Sequence, residues 1–359
     1  MKILILANND IGLYNFRREL LEKLISEKNE VYISLPYGSK VDNMVEMGCR
    51  FIDTSVDRRG KNPFKDLILF FRYFKIIKKI KPDVVLTYTI KPNLYGGICC
   101  RLNKIKCIAN VTGLGSASEN KGLLNKVVLK LYKIAFAKNK CVFCQNQGNL
   151  NYLVNIGIDK ERLILIPGSG VNLQHFNVLE YPNDNTIEFL FIGRIMQAKG
   201  IEQYLDTASY IREKYINTVF HILGECEEDY KDKLKELDDR GIIKYHGLQS
   251  DIKPFLERSH CTIHPTYYPE GMSNVLLESS ASGRPIITTN KSGCKEIVDD
   301  GVNGFIVTEK DSKDLIDKVE KFIQLSNQER KVMGLAGRKK VENEFDRNIV
   351  INEYLKAIG

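Results

Sequence analysis

The sequence predicts an α/β protein of two units in series, each a parallel sheet covered by helices on both faces. Three observations carry this. The chain has 359 residues, about twice the usual size of a single domain. Short apolar runs alternate with amphipathic stretches along its whole length, as βα repeats do. The alternation also restarts after Tyr181-Pro182-Asn183-Asp184-Asn185, a polar, turn-rich stretch that reads as a linker. With 43% hydrophobic and 27% charged residues, collagen-like and disordered classes are excluded.

Residues 3–7 read as a first buried strand. Residues 14–27 follow as a helix, with Phe16, Leu20, Leu21 and Leu24 at helical spacing, and Glu30–Leu35 returns to strand. A helix over 66–79, a strand at Val84–Tyr88 and a helix over 94–102 come next. A strand at 107–111, a long basic helix over 123–138 and a strand at Cys141–Cys144 close the first unit's regular pattern. In the second unit, strands are expected at Ile187–Ile192, Thr218–Leu223, 242–245, 261–265, 285–289 and 305–307, and a last helix over 341–357. The domains are therefore drawn at 1–180 and 181–340. Open α/β sheets bind ligands at the carboxyl ends of their strands, so a cleft between the two units is the expected site.

Charge divides the chain unequally. Residues 1–180 hold 28 Lys and Arg against 15 Asp and Glu, and the remainder 25 against 30. Two basic stretches, 64–81 and 123–140, interleave Lys and Arg with Phe, Ile, Leu and Val. Basic amphipathic helices suit an anionic membrane surface; the same pattern arises when apolar positions pack on the sheet and lysines face water. Nucleic acid is not expected, because no recognisable nucleic-acid module appears. The nine cysteines form no disulfide framework, and Cys141-x-x-Cys144 lacks a second pair, so structural thiols in a reducing compartment are expected. The start of the chain turns polar at Asn8-Asn9-Asp10, too soon for a secretory leader, and no apolar run approaches membrane-spanning length. These features predict a cytoplasmic protein, peripheral on the inner face of the cell membrane.

The most informative segment runs from Thr266 to Pro285. It follows a strand, turns through Glu270-Gly271 and enters a helix that Ser273 or Asn274 can cap. The backbone N–H groups of Gly271, Met272, Ser273, Asn274 and Val275 would then form an anion cradle with the helix dipole behind them. Glu270 and Glu278 beside such a cradle can hold sugar hydroxyls while the backbone holds a diphosphate. Taken alone, Glu270 reads equally as a solvated loop residue and Glu278 as a capping one. A second segment, Gly193-Arg194 through Lys199-Gly200, places two cations after the first strand of the second unit. A diphosphate leaving group without a metal needs such fixed positive charge; in isolation the pair also fits a solvated surface.

Together the segments resemble the retaining glycosyltransferases of family 4. Gly193, Arg194, Lys199 and Gly200 match the family's G-R-x4-K-G, and Glu270 and Glu278 match its E-x7-E with the spacing intact. Gly224, His246-Gly247 and the 300–307 stretch are smaller matches. In the first half, Asn15-Phe16-Arg17-Arg18, Asn62-Pro63-Phe64, Lys91-Pro92-Asn93-Leu94-Tyr95-Gly96 and Thr112-Gly113-Leu114-Gly115 resemble bacterial enzymes of capsule, O-antigen and protein-glycan assembly.

The resemblance implies the GT-B fold: two Rossmann-like domains facing each other across a cleft, with the last helix, 341–359, crossing back onto the first. It implies a nucleotide sugar, most readily a UDP-sugar, as donor and substrate, and an undecaprenyl-diphosphate-linked saccharide as acceptor. The sugar transferred would be a hexose or N-acetylhexosamine, with retention and without a definite protein nucleophile. Arg194 and Lys199 would bind the donor diphosphate, Glu270 the donor sugar and Glu278 the ribose, with His246 and Gly247 near the base. Gly12, Arg17, Arg18, Lys91 and Asn93 are the acceptor candidates. Family members often carry a Gly-Gly loop after the first strand, whereas this chain has Asn9-Asp10-Ile11-Gly12-Leu13, where only Gly12 permits a close backbone approach.

Neither a metal nor a cofactor is expected. Asp-x-Asp is absent from the sequence, as is a P-loop; Gly168-Ser-Gly170 and Gly113-Leu-Gly115 lack a third glycine, and His260 and His264 lack a third ligand. A UDP-sugar epimerase of the same fold would need no lipid acceptor and would isomerise a donor without releasing UDP. A non-catalytic sugar-binding protein would need no paired cations at a nucleotide-type site.

Overall fold

The computed structural model describes residues 1–58, 60, 62–113, 123–183 and 185–359, the side chains of 123–125 excepted. Its chain contacts divide it into two compact units. Unit 1 comprises Met1–Ser169, Glu270–Met272 and Asn348–Gly359; unit 2 comprises Gly170–Pro269 and Ser273–Arg347.

Unit 1 is a seven-stranded, wholly parallel sheet in the order β3-β2-β1-β4-β5-β6-β7. Its strands are β1 (Lys2–Leu6), β2 (Glu30–Leu35), β3 (Arg50–Asp53), β4 (Val84–Tyr88), β5 (Lys106–Val111), β6 (Cys141–Cys144) and β7 (Leu163–Leu165). The helices between them are α1 (Asp10–Ser26), α2 (Val41–Glu46), α3 (Pro63–Ile80), α4 (Gly97–Asn103), α5 (Leu123–Phe136) and α6 (Gln147–Asn155). Strands β1, β4 and β6 are buried nearly throughout, because helices cover both faces of a parallel sheet.

Unit 2 repeats the design with six parallel strands in the order β10-β9-β8-β11-β12-β13. They are β8 (Ile187–Ile192), β9 (Thr218–Leu223), β10 (Lys244–Tyr245), β11 (Cys261–His264), β12 (Ile286–Thr289) and β13 (Gly304–Val307). Its helices are α7 (Ile201–Lys214), α8 (Lys231–Asp239), α9 (Lys253–Arg258), α10 (Asn274–Ala281), α11 (Ser312–Gln324) and α12 (Asn327–Glu344). Both sheets reverse direction between their first and fourth strands, the Rossmann arrangement, and that reversal point is where such sheets bind ligands.

Three local outcomes differ from expectation. The first helix begins at Asp10 rather than 14, because Asn9 caps it by accepting the Gly12 N–H at 2.6 Å. Gly12 is thus a first-turn helix residue and forms no free loop. The 341–357 helix is two: α12 ends at Glu344, and α13 (Arg347–Ile358) begins after a break at Phe345-Asp346. Asn348–Gly359 pack with unit 1, where Tyr354 accepts a bond from Asn110 Nδ2 at 2.6 Å. The stretch around 181 is pinned rather than free: Tyr181 donates to the His260 carbonyl (2.9 Å), and the contact division falls earlier, between Ser169 and Gly170. As expected, none of the nine cysteines forms a disulfide, and burial pushes the Cys141 and Cys144 thiols up to about 12.

Candidate functional site

In unit 2 the loop after β8 and the loop after β11 meet at the reversal point. The Tyr267 N–H donates to the Ala198 carbonyl at 2.9 Å, and Gly200 turns at φ +76°, where a Cβ would lie 2.1 Å from the Pro265 carbonyl oxygen. Only glycine fits there. The same turn buries Lys199, 8% exposed. Arg194 and Lys199, predicted as a pair, converge on one ring: the Arg194 guanidinium carbon lies 4.9 Å and the Lys199 ammonium 5.2 Å from the Tyr268 centroid. Arg194 is also fixed by Glu227 at 2.8 Å. Cations held in place beside an aromatic face are a preorganised positive charge of the kind a phosphate needs. Tyr268 and Glu227 were not singled out from the sequence, although Tyr268 lies inside the segment that was.

Helix α10 opens next to these loops in sequence, and it opens uncapped. Ser273 occupies the cap position but makes no side-chain capping bond. Its hydroxyl and the Asn274 amide oxygen are both buried without a hydrogen-bond partner. The expected cradle is also shorter than read from the sequence, because the Ser273 N–H is spent on the Gly293 carbonyl at 2.8 Å. The first amides of α10 itself remain as the helix-dipole end of the site. Glu278 lies one turn in, packed deeply enough that desolvation raises its carboxyl to about 7, against the opposing pull of Arg347. Gly193 donates its N–H to the Leu223 carbonyl at 3.0 Å.

His246 is half-buried and shares a 2.9 Å hydrogen bond with fully buried His221. His221 in turn meets Glu188 at 2.8 Å, and Arg258 grips the same carboxylate at 2.7 Å. These partners hold Glu188 down to about 2 against the desolvation of its site, while burial and then His221 lower His246. Neither link was legible in the sequence. Gly247 follows with φ +65°, and its carbonyl accepts the Gly224 N–H at 2.8 Å.

Glu270, Gly271 and Met272 belong by their contacts to unit 1. Asn146 Nδ2 donates to the Glu270 carbonyl at 3.1 Å and also to that of Gly271. Met272 is buried, packed where Gly168 has room for no Cβ.

The acceptor candidates of unit 1 separate into different situations. Asn93 is 1% exposed; its amide accepts from Thr87 (2.7 Å) and donates to the Asn110 carbonyl (2.9 Å), so it ties β4 to β5. Lys91 is clamped by Asp66 at 2.6 Å and the Gly60 carbonyl at 2.8 Å. Arg18 lies near Glu19 and Glu22 on the surface of α1. Arg17 differs from all three. It is 4% exposed, its Nη1 donates to the Phe16 carbonyl at 2.6 Å, and its Nε meets no acceptor. The rings of Tyr88 and Tyr354 flank it at 5.0 and 5.9 Å, and no ion pair to a carboxylate forms among the described residues. A buried guanidinium with no acid beside it is costly unless an anion completes its shell.

The surface of α3 carries a further feature. Leu69, Tyr73 and Ile77 face the core, while Phe64 (77% exposed), Leu67, Ile68 and Phe71 point to solvent beside exposed Arg72 and Lys75. On α5, exposed Lys126, Lys130 and Lys133 border an open depression with Leu129 and Ile156. Among the described residues no helix is long and apolar enough to cross a membrane, and no three His, Cys, Asp or Glu side chains gather as metal ligands. The Thr112-Gly113 part of one predicted motif is described; Leu114 and Gly115 lie outside the described residues.

Comparison with known proteins supports this architecture. Residues 176–340 match the family model of glycosyl transferases group 1, and residues 2–146 the glycosyl transferase 4-like model. The chain is 26% identical to the N,N'-diacetylbacillosaminyl-diphospho-undecaprenol alpha-1,3-N-acetylgalactosaminyltransferase of Campylobacter jejuni, over 99% of this chain and 98% of that one. It is 25% identical to the UDP-Gal:alpha-D-GlcNAc-diphosphoundecaprenol alpha-1,3-galactosyltransferase of Escherichia coli, over 80% of this chain and 78% of that one. Among solved structures, a glycosyltransferase from Rickettsia africae superposes with a TM-score of 0.83 at 21% identity, over 99% of this chain and 97% of that one. The chain thus belongs to the glycosyltransferases of GT-B fold, a glycosyl transferase 4-like domain followed by a group 1 domain.

Proposed function

We propose that the protein transfers a hexose or N-acetylhexosamine from a UDP-sugar to an undecaprenyl-diphosphate-linked saccharide, with retention and without a metal ion. The observation that carries this reading is the convergence of Arg194 and Lys199 on Tyr268, at the strand ends that precede uncapped α10. As the sugar leaves, negative charge grows on the β-phosphate; Arg194, Lys199 and the first amides of α10 stabilise it. Glu278 binds the ribose and Glu270 orients the sugar. The reading of the base falls to the loop at His246 and Gly247. Both curated relatives carry a diphospho-undecaprenol saccharide in their names, and one names UDP-Gal. That chemistry suits Arg17, whose unpaired charge fits an acceptor diphosphate.

The acceptor's lipid also gives the exposed apolar and basic surface of α3 a use, peripheral association with the cytoplasmic face of the cell membrane. The test is a panel of UDP-galactose, UDP-glucose, UDP-N-acetylgalactosamine and UDP-N-acetylglucosamine with synthetic polyprenyl-diphosphate saccharides. Transfer accompanied by UDP release is the expected result. Donor isomerisation without UDP release would replace this reading with an epimerase.

A further inference from the structure

Glu270 sits in a loop without regular structure, yet its backbone is held on several sides within unit 1. Asn146 is 2% exposed and caps α6: its Oδ1 accepts the Asn149 N–H at 2.7 Å. That bond fixes the side-chain rotamer, so the Nδ2 end is committed to the two loop carbonyls of Glu270 and Gly271. Asn149 Nδ2 adds a longer contact to the Glu270 carbonyl at 3.4 Å.

Next in the chain, Gln145 donates to Asn110 Oδ1 at 3.1 Å, which leaves its Oε1 turned to Gly271. A Cβ on Gly271 would lie 2.2 Å from that oxygen and 2.6 Å from the Thr112 carbonyl. On the other side, a Cβ on Gly168 would lie 2.4 Å from the Met272 Cβ. Asn110 also donates to Tyr354 of α13, so bonds run from the last helix through Asn110 to Gln145, whose Oε1 lies against Gly271. A buried amide with every bond committed has one geometry, and it transmits that geometry to the residue it holds.

We propose that Asn146 is a positioning residue for Glu270, its buried amide fixing the loop carbonyls and with them the direction in which the carboxylate is presented to the donor sugar. This rests on the assignment of Glu270 to the donor sugar. Arg194, Lys199 and Glu278 are not among the residues that the Asn146 side chain holds. Loss of the Asn146 amide therefore lowers turnover and leaves nucleotide affinity in place.

The experiment uses the full chain. Asn146→Ser keeps a capping oxygen but cannot reach the loop, and Asn146→Asp is isosteric and an equal cap yet offers no N–H. Titration with UDP should give a Kd within about twofold of the original, while kcat for sugar transfer falls roughly 10- to 100-fold, the scale of an ångström-sized misplacement. On a Glu270→Ala background, Asn146→Ser should cost nothing further. Wild-type kcat in either folded Asn146 variant would overturn the proposal, as would losses that multiply fully in the double variant. Wild-type kcat in Glu270→Ala alone would instead remove the assignment of Glu270, and the proposal with it.

Discussion

Arg284 in unit 2 and Arg17 in unit 1 are both buried arginines, and their surroundings differ in kind. Arg284 is fully enclosed, and its guanidinium donates to the carbonyls of Leu256 (2.7 Å), Glu180 (2.6 Å), Glu257 (3.3 Å) and Leu179 (3.4 Å). Burial brings it down to about 10, so it remains charged at neutral pH. Its shell is complete, and it joins the end of α9 to the 179–181 segment. Arg17 has one carbonyl, two tyrosine rings and an Nε without an acceptor. Two buried cations are therefore satisfied differently: one completes its shell with carbonyls, and the other leaves its Nε open, as the proposed acceptor-diphosphate role requires. Burial alone does not mark a functional charge; the unfilled part of its shell does.

Four experiments can break or sharpen that contrast. The largest effect is expected at the cations proposed to bind the donor diphosphate: Arg194→Ala or Lys199→Ala should lower turnover roughly 10²–10³-fold with the fold intact, as loss of one preorganised donor does. Steady-state kinetics on protein of unchanged circular dichroism checks this. The buried pair comes next. Arg284→Ala strands four carbonyls and should cost about 3 kcal/mol in denaturant unfolding, with activity per folded molecule preserved. Arg17→Ala should behave oppositely, losing about tenfold or more in kcat/KM for the lipid-diphosphate acceptor while the unfolding midpoint holds or rises. Equal stability losses at both positions would erase the distinction.

A smaller effect is expected from Glu278. Its folded carboxyl titrates near 7, above the ordinary value of 4.5, so between those values the folded chain binds more protons than the unfolded one. Stability of the unliganded protein should therefore fall as pH rises through that window and level off above about 7. Thermal unfolding of Glu278→Gln across the same range should show a flatter profile. The smallest effect concerns α3: replacing Phe64 and Phe71 by Ser should reduce pelleting with anionic liposomes and leave activity on a short-chain, soluble acceptor unchanged.

The sequence announced its architecture where apolar runs were bounded by polar or turn residues. Glu30–Leu35, Val84–Tyr88, Ile187–Ile192 and Thr218–Leu223 stand in the structure with the boundaries read from the chain. It was silent where pattern and environment disagree. β3 is a half-exposed edge strand whose only apolar residues are Phe51 and Ile52, and β7 spans only three residues, too short a run to stand out as a strand. The break between α12 and α13 at Phe345-Asp346 has no Gly or Pro to mark it.

At the site, spacing carried the motif residues, because phosphate chemistry restricts which residue types serve it. Their supports were hidden. Asn146 reaches Glu270 across 124 positions, and His221, Glu188 and Arg258 come from three different elements. Long-range partners leave no local signature, so Asn146, Gln145 and Tyr268 could be valued only once the chain was folded. Asn93 and Lys91 show the converse: a motif resemblance identified them, and the structure finds their polar ends engaged with Thr87, Asn110 and Asp66.

The most direct measurement incubates the purified full chain with each UDP-sugar and a synthetic undecaprenyl-diphosphate-linked saccharide, and reads products by mass spectrometry alongside released UDP. The proposed reaction predicts one donor giving an acceptor extended by a single sugar with stoichiometric UDP, abolished or nearly so by Lys199→Ala. No extended acceptor with any donor, or a rearranged donor with no UDP released, would contradict it.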